Sequence, residues 1–259
     1  MLLAVDVGNT QTVVGLFDGD VLVANWRVSS DASITADELA VKLTGLLAMA
    51  GHARGDVDHV IVGSVVPRLT DAWMEIAVVL SGEQAMVVGP GLKTGLPIRY
   101  DNPHEVGADR IVNGVAALAD FGGPVLVVDF GTATTIDVID AEGSYLGGTI
   151  APGLETSAEA LFSKAARLST VDLVAPETVI GRNTRASVQS GLVLGQAAMV
   201  DGLVRRVWAE LGVETRVVAT GGLAERMSAL CETITDVDAD LTLKGLLLVY
   251  RRNSQARAD

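Results

Sequence analysis

Two short stretches of this chain place an aspartate at the end of an apolar run and follow it with glycine and short polar side chains. In the first, Asp6-Val7-Gly8-Asn9-Thr10 sits between the apolar runs Leu2–Val5 and Thr12–Phe17, with Gln11 completing the turn. In the second, Val125–Asp129 leads through Phe130 into Gly131, Thr132 and a threonine-rich turn. Glycine lets the backbone approach a ligand closely, N–H groups of such a turn receive phosphate oxygens, and a carboxylate can hold magnesium through water. Taken alone, such a turn reads first as a hairpin whose Asp, Asn and Thr satisfy their own backbone. The repetition changes the balance, because a nucleotide needs opposed anion-binding turns with carboxylates for its cations.

A third carboxylate lies in Gly107-Ala108-Asp109-Arg110, just ahead of the periodic apolar stretch Ile111–Leu118. An alcohol attacking phosphorus must lose its proton, so Asp109 suits a general base, and Arg110 can steady a carboxylate or phosphate. The plain structural alternative is a helix N-cap followed by a surface ion pair. Thr184, in Gly181-Arg182-Asn183-Thr184-Arg185, also begins a helix and has the same capping alternative. Ala219-Thr220-Gly221-Gly222 ends a strand, where paired glycines would let a flat nucleobase approach. Gly89-Pro90-Gly91-Leu92-Lys93-Thr94-Gly95 superficially resembles a phosphate loop, but Leu92 stands before Lys93 where that loop requires an adjacent Gly-Lys before its Ser or Thr. His52, His59 and His104 show no zinc-type spacing.

The elements that must carry these residues are short Val/Leu/Ile runs alternating with helical patterns. Leu2–Val5, Thr12–Phe17 and Val21–Val28 read as an antiparallel meander; Thr35 with Glu38 opens a helix that stops at Gly51. Val60–Val65 then feeds a helix over Leu69–Leu80 and a strand at Ala85–Val88. The order recurs with strands at Val125–Asp129, Ile136–Ile139 and Tyr145–Ile150, a helix over Val188–Leu211 and a strand at Arg216–Thr220. Asp6 aligns with Asp129, and Thr12-Val13 with Thr135-Ile136. The pattern predicts a duplicated α/β domain, with halves at 1–117 and 118–259, a cleft between them, and a loosely held tail after Tyr250.

Composition agrees. The 259 residues are 49% apolar and 20% charged, ample for a packed core. A net charge of -13 argues against nucleic acid or an anionic membrane as partner, so phosphate must be held locally. The single cysteine, Cys231, fits a reducing, cytoplasmic setting, and no apolar run approaches the roughly 20 residues a bilayer span needs.

With these motifs in this order, the chain resembles the type III pantothenate kinases, a branch of the acetate kinase/sugar kinase/actin superfamily. The resemblance runs over Asp6–Thr10, Gly89–Gly95, Gly107–Arg110, Asp129–Thr135 and Gly147-Gly148-Thr149-Ile150-Ala151-Pro152-Gly153. It implies two actin-like (ribonuclease H-like) domains and ATP-dependent phosphorylation of pantothenate to 4′-phosphopantothenate, which opens coenzyme A biosynthesis. It implies that Asp6, Val7, Gly8, Asn9, Thr10, Gln11, Thr12 and Val13 grip the ATP phosphates, with Asp6 near magnesium and Thr132 touching ATP. Tyr100, Gly107, Ala108, Asp109, Arg110 and Thr184 would bind pantothenate, with Asp109 as proton acceptor. Asp129 would coordinate a monovalent cation, potassium or ammonium, and the protein would be a homodimer. The competing reading is a non-catalytic regulator on the same scaffold, which would have no need of Asp109 or the phosphate turns.

Overall fold

In β1 (Leu2–Val7) every apolar residue is buried and only Asp6 is partly exposed. A strand apolar on both faces must lie inside a sheet covered on both sides. Accordingly β1 pairs antiparallel with β2 (Gln11–Asp18) and parallel with β4 (His59–Ser64). The outer strands β3 (Val21–Ser29) and β5 (Met86–Val87) complete the order β3-β2-β1-β4-β5.

One face of this sheet is covered by α1 (Ala36–Met49) and α2 (Pro67–Ser81), whose Leu39, Leu43, Leu69, Trp73 and Ile76 pack with Leu3 and Val5. Thr35 caps α1 as the sequence predicts: its hydroxyl accepts the Glu38 N–H, and the Glu38 carboxylate accepts the Thr35 N–H at 2.9 Å. Against the other face lie α3 (Ala108–Phe121), which begins at the Asp109 motif, and α8 (Leu241–Gln255). Leu243 of α8 fills the space beside Gly15, and Leu246 that beside Gly63.

The second sheet repeats the arrangement. Its central strand β6 (Val125–Phe130) has the same burial as β1, with Asp129 at the position of Asp6. The strands β7 (Ala133–Ile139), β8 (Tyr145–Pro152), β9 (Arg216–Thr220) and β10 (Asp236–Val237) give the order β10-β9-β6-β7-β8. As in the first sheet, two neighbours in the meander pair antiparallel and the later strands pair parallel. A core of Leu126, Val128, Phe130, Ile136 and Val217 is closed by α4 (Leu154–Lys164), α6 (Gly195–Leu211) and α7 (Ala224–Ser228). The helix expected over Val188–Leu211 begins earlier and is interrupted: α5 (Thr184–Gln189) passes through a π-helical turn at Ser190–Leu194 into α6.

The computed structural model describes residues 1–165 and 168–255. They form two units, Met1–Ala119 with the segment from Asp240, and Asp120–Ala239. The first boundary falls close to the expected 117/118, but a second half running unbroken to 259 is corrected, because the apolar residues of α8 are buried in the first unit. The loose tail expected after Tyr250 is corrected over residues 251–255, and its last four residues, 256–259, lie outside the described residues. Residues 251–255 continue α8, where Arg251 pairs with Asp20 and Asn253 bonds to Lys93.

Candidate active site

In the first unit, β1 delivers Asp6 to the edge of a three-residue turn, Gly8–Thr10, before β2 begins at Gln11. Gly8 N–H donates to the Gln11 carbonyl at 3.1 Å, and a Cβ on Gly8 would stand 2.8 Å from that same oxygen. Asn9, Thr10 and Gln11 are exposed, whereas Val7 and Thr12 are buried and Val13 is half-buried opposite Asp6 in the ladder. The turn is braced by Ser30, just past the end of β3, which sequence reasoning missed. Its hydroxyl donates to the Gly8 carbonyl at 2.6 Å and lies 2.9 Å from Thr12 Oγ1, while its N–H donates to the Thr10 carbonyl. Nothing local flags a serine so far along the chain.

Asp109 is the second residue of α3, so it is not the helix N-cap considered from sequence. Its Oδ1 accepts the Arg110 N–H at 2.8 Å, which folds the carboxylate back over Gly107. A Cβ on Gly107 would overlap that oxygen, so the glycine of this motif makes room for its aspartate. Burial pushes the Asp109 carboxyl above its ordinary 3.8, and the N–H and charge of Arg110 offset part of the rise. Arg110 itself is buried, as is Ala108, and Tyr100 is half-buried on the segment leading into the helix.

In the second unit, Asp129 is held at the end of β6 beside β9. Gly221, at φ 93°, brings its Cα so close that a Cβ would overlap Asp129 Oδ1 and lie 2.8 Å from the Phe130 nitrogen. The glycine expected to admit a nucleobase is therefore required by its positive φ and by the Phe130 backbone, and it also leaves room for the Asp129 carboxylate. Here the turn is only Gly131-Thr132, one residue shorter than Gly8–Thr10. Asp6 consequently faces Val13, whereas Asp129 faces Thr135, so the sequence alignment of Val13 with Ile136 is displaced by one. Thr132 is exposed, and its carbonyl accepts from Gly153 N–H at 2.9 Å and Thr156 Oγ1 at 2.7 Å. Gly153 thus owes its identity to the Gly131–Thr132 turn, which a side chain would overlap.

Thr184 is the first residue of α5, with Asn183 as its cap: Asn183 Oδ1 accepts the Ala186 N–H at 2.9 Å. It lines a cavity of about 730 Å³ with Arg182, Asn183, Leu161 and Leu192. Among the described residues no three acidic, histidine or cysteine side chains gather to hold a metal ion. No helix among them is long and apolar enough to cross a membrane.

A family model described as type III pantothenate kinase matches residues 2–206. The type III pantothenate kinase of Moorella thermoacetica is 50% identical over 98% of this chain and 100% of its own length, and that of Syntrophotalea carbinolica 51% over 98% and 99%. Among solved structures, a Campylobacter jejuni protein of the Baf family of transcriptional activators superposes with a TM-score of 0.65 at 17% identity, covering 98% of this chain and 99% of its own. The ROK hexokinase of Thermus thermophilus does so at 0.50 and 15%, over 98% and 99%. Identities this low carry the fold alone, an actin/sugar-kinase-like α/β architecture. The end-to-end likeness to the bacterial kinases, together with the family match, carries more: this chain belongs to the type III pantothenate kinase family.

Proposed function

We propose that the chain transfers the γ-phosphoryl group of ATP to the 4′-hydroxyl of pantothenate, with Asp109 as the base. The observation that carries the assignment of Asp109 is its buried carboxylate, fixed over Gly107 and raised in pKa, as proton acceptors working near neutrality require. Asp109 takes the hydroxyl proton, the freed oxygen attacks the γ-phosphorus, the bond to the β–γ bridging oxygen breaks, and ADP leaves. The turn from Asp6 to Val13 grips the phosphates and Thr132 contacts ATP. Tyr100, Gly107, Ala108, Arg110 and Thr184 hold pantothenate. In-line phosphoryl transfer asks for little else than positioning and charge neutralisation.

A magnesium ion can be held by one carboxylate, water and phosphate oxygens, so Asp6 suffices without a cluster of ligands. Asp129, kept in place by Gly221, is the residue for a monovalent cation such as potassium or ammonium. Bound there, such ions offset phosphate charge. The same reading includes duplication of one ribonuclease H-like unit with a nucleotide cleft between the copies, a homodimer, and a cytoplasmic protein with neither nucleic acid nor membrane as partner.

The test is a coupled assay of ADP release with ATP, magnesium and pantothenate. Asp109→Asn is expected to bind pantothenate and lose roughly 10²–10⁴-fold in kcat. Turnover near that of the unaltered enzyme would remove Asp109 as the base. Replacing potassium with sodium is expected to slow the reaction, and equal rates in both salts would reject the role of Asp129.

A further inference from the structure

The segment Gly89–Gly95 has no part in the proposed chemistry, yet it is the lead-in to Tyr100 and to the Gly107–Arg110 motif. Left to itself it would be costly to order. It carries glycines at 89, 91 and 95, and Gly91 and Gly95 adopt φ of 95° and 80°. Its fastening comes from the far end of the sequence. Asn253 of α8 accepts the Lys93 N–H on Oδ1 at 3.0 Å and donates from Nδ2 to the Lys93 carbonyl at 2.9 Å. The remaining Nδ2 proton goes to the Val249 carbonyl one helical turn back, at 2.8 Å, which fixes the amide's orientation. Arg252 lies against Gly95 so closely that a Cβ there would overlap its guanidinium.

An amide that accepts from and donates to one residue's main chain behaves like a single rung of β-sheet. Aspartate keeps the acceptor and loses both donors, and glutamine puts the amide one methylene too far. We infer that Asn253 is a positioning residue for pantothenate: it pins Lys93, and through it the segment that presents Tyr100. The inference rests on the proposed reading of Tyr100. It concerns binding and not the chemical step, because Asp109 is carried on α3, which α8 holds separately through Thr242 Oγ1 to Asn113 Oδ1 at 2.7 Å and through Gly245 against the Val112 carbonyl.

Asn253→Ala and Asn253→Asp are to be compared with the unaltered full-length enzyme by steady-state kinetics, by calorimetric titration with pantothenate, and by hydrogen exchange over residues 89–95. Both variants are expected to raise KM and Kd for pantothenate roughly tenfold, the equivalent of about 1.4 kcal/mol. The kcat and the KM for ATP should stay within about twofold, and exchange should quicken in residues 89–95. An unchanged pantothenate KM, full retention of binding by Asn253→Asp, or parallel losses in both KM values and kcat would each overturn the inference. An unaltered enzyme that fails to turn over pantothenate would sink the functional reading instead, while exchange over residues 89–95 still reports whether Asn253 holds the segment.

Discussion

Asp109 and Asp129 solve one problem in the same way. Each carboxylate is folded onto a glycine that has no Cβ to obstruct it, Gly107 in one case and Gly221 in the other. For Asp109, burial raises the pKa above 3.8. The folded state therefore binds the proton more tightly than the unfolded chain does. Its contribution to stability is fully present below 3.8 and is lost as pH rises through the elevated folded value. Asp109→Asn keeps the acceptor for Arg110 N–H and removes the buried charge. This variant is expected to melt higher than the unaltered protein at neutral pH, with the difference vanishing in acid. A lower melting temperature at neutral pH would contradict the burial argument. On the kinetic side, kcat/KM should fall as pH drops through the raised pKa, so the acid limb lies closer to neutrality than an exposed aspartate would place it. Gly221→Ala forces a Cβ into Asp129 at a positive φ and is expected to cost about 1–3 kcal/mol, read by chemical denaturation. It should also weaken potassium activation. At this scale the sequence showed the aspartates and the glycine turns near them and was mute on how they are held. The glycines against Asp109 and Asp129 were visible, but their close approach to those carboxylates is a property of three dimensions, and Ser30 acts on Gly8 from beyond the end of β3.

Elements were legible where their signals are local. The Thr35–Glu38 capping box, the helix that follows Val60–Val65 and the three-strand meander all appear where periodicity and turn chemistry put them. What escaped was the partnership of α8. Its apolar residues announce burial without saying against what, and its last turn looks solvent-bound because Arg251, Arg252 and Asn253 are polar. Their partners, Asp20, Gly95 and Lys93, lie more than 150 positions earlier in the chain. The turn after β1 hid its extra residue for a similar reason: strand register is fixed by which carbonyl Gly8 bonds, not by residue type. Gly245 brings α8 close against α3, since a Cβ there would overlap the Val112 carbonyl. Gly245→Ala should therefore push the helices apart, destabilise the protein by about 1–3 kcal/mol in urea titration, and lower kcat through the helix that carries Asp109. Unchanged stability would mean that the two helices can slide without loss.

For the molecule as a whole, the chain path matters more than the strand order. Residues 120–239 form an uninterrupted unit with its own core, whereas the other unit needs residues from both before and after them. A fragment of residues 120–239 is expected to fold by itself, seen as a cooperative thermal transition in circular dichroism. A fragment of residues 1–119 should lack one, because Gly15 and Gly63 lose the leucines that cover them. A peptide of residues 240–255 added in trans should restore its order, and failure to do so would show that α8 is dispensable to that core.

During synthesis this path imposes a sequence of events. The sheet that bears Asp6 emerges early and waits with α3 alone on one face while the entire middle unit is made. Only when α8 clears the ribosome can that face be sealed and Lys93 fastened. A nascent polypeptide halted anywhere in the middle unit would hold a proton acceptor on an unsupported helix, so the half that is read first becomes competent last.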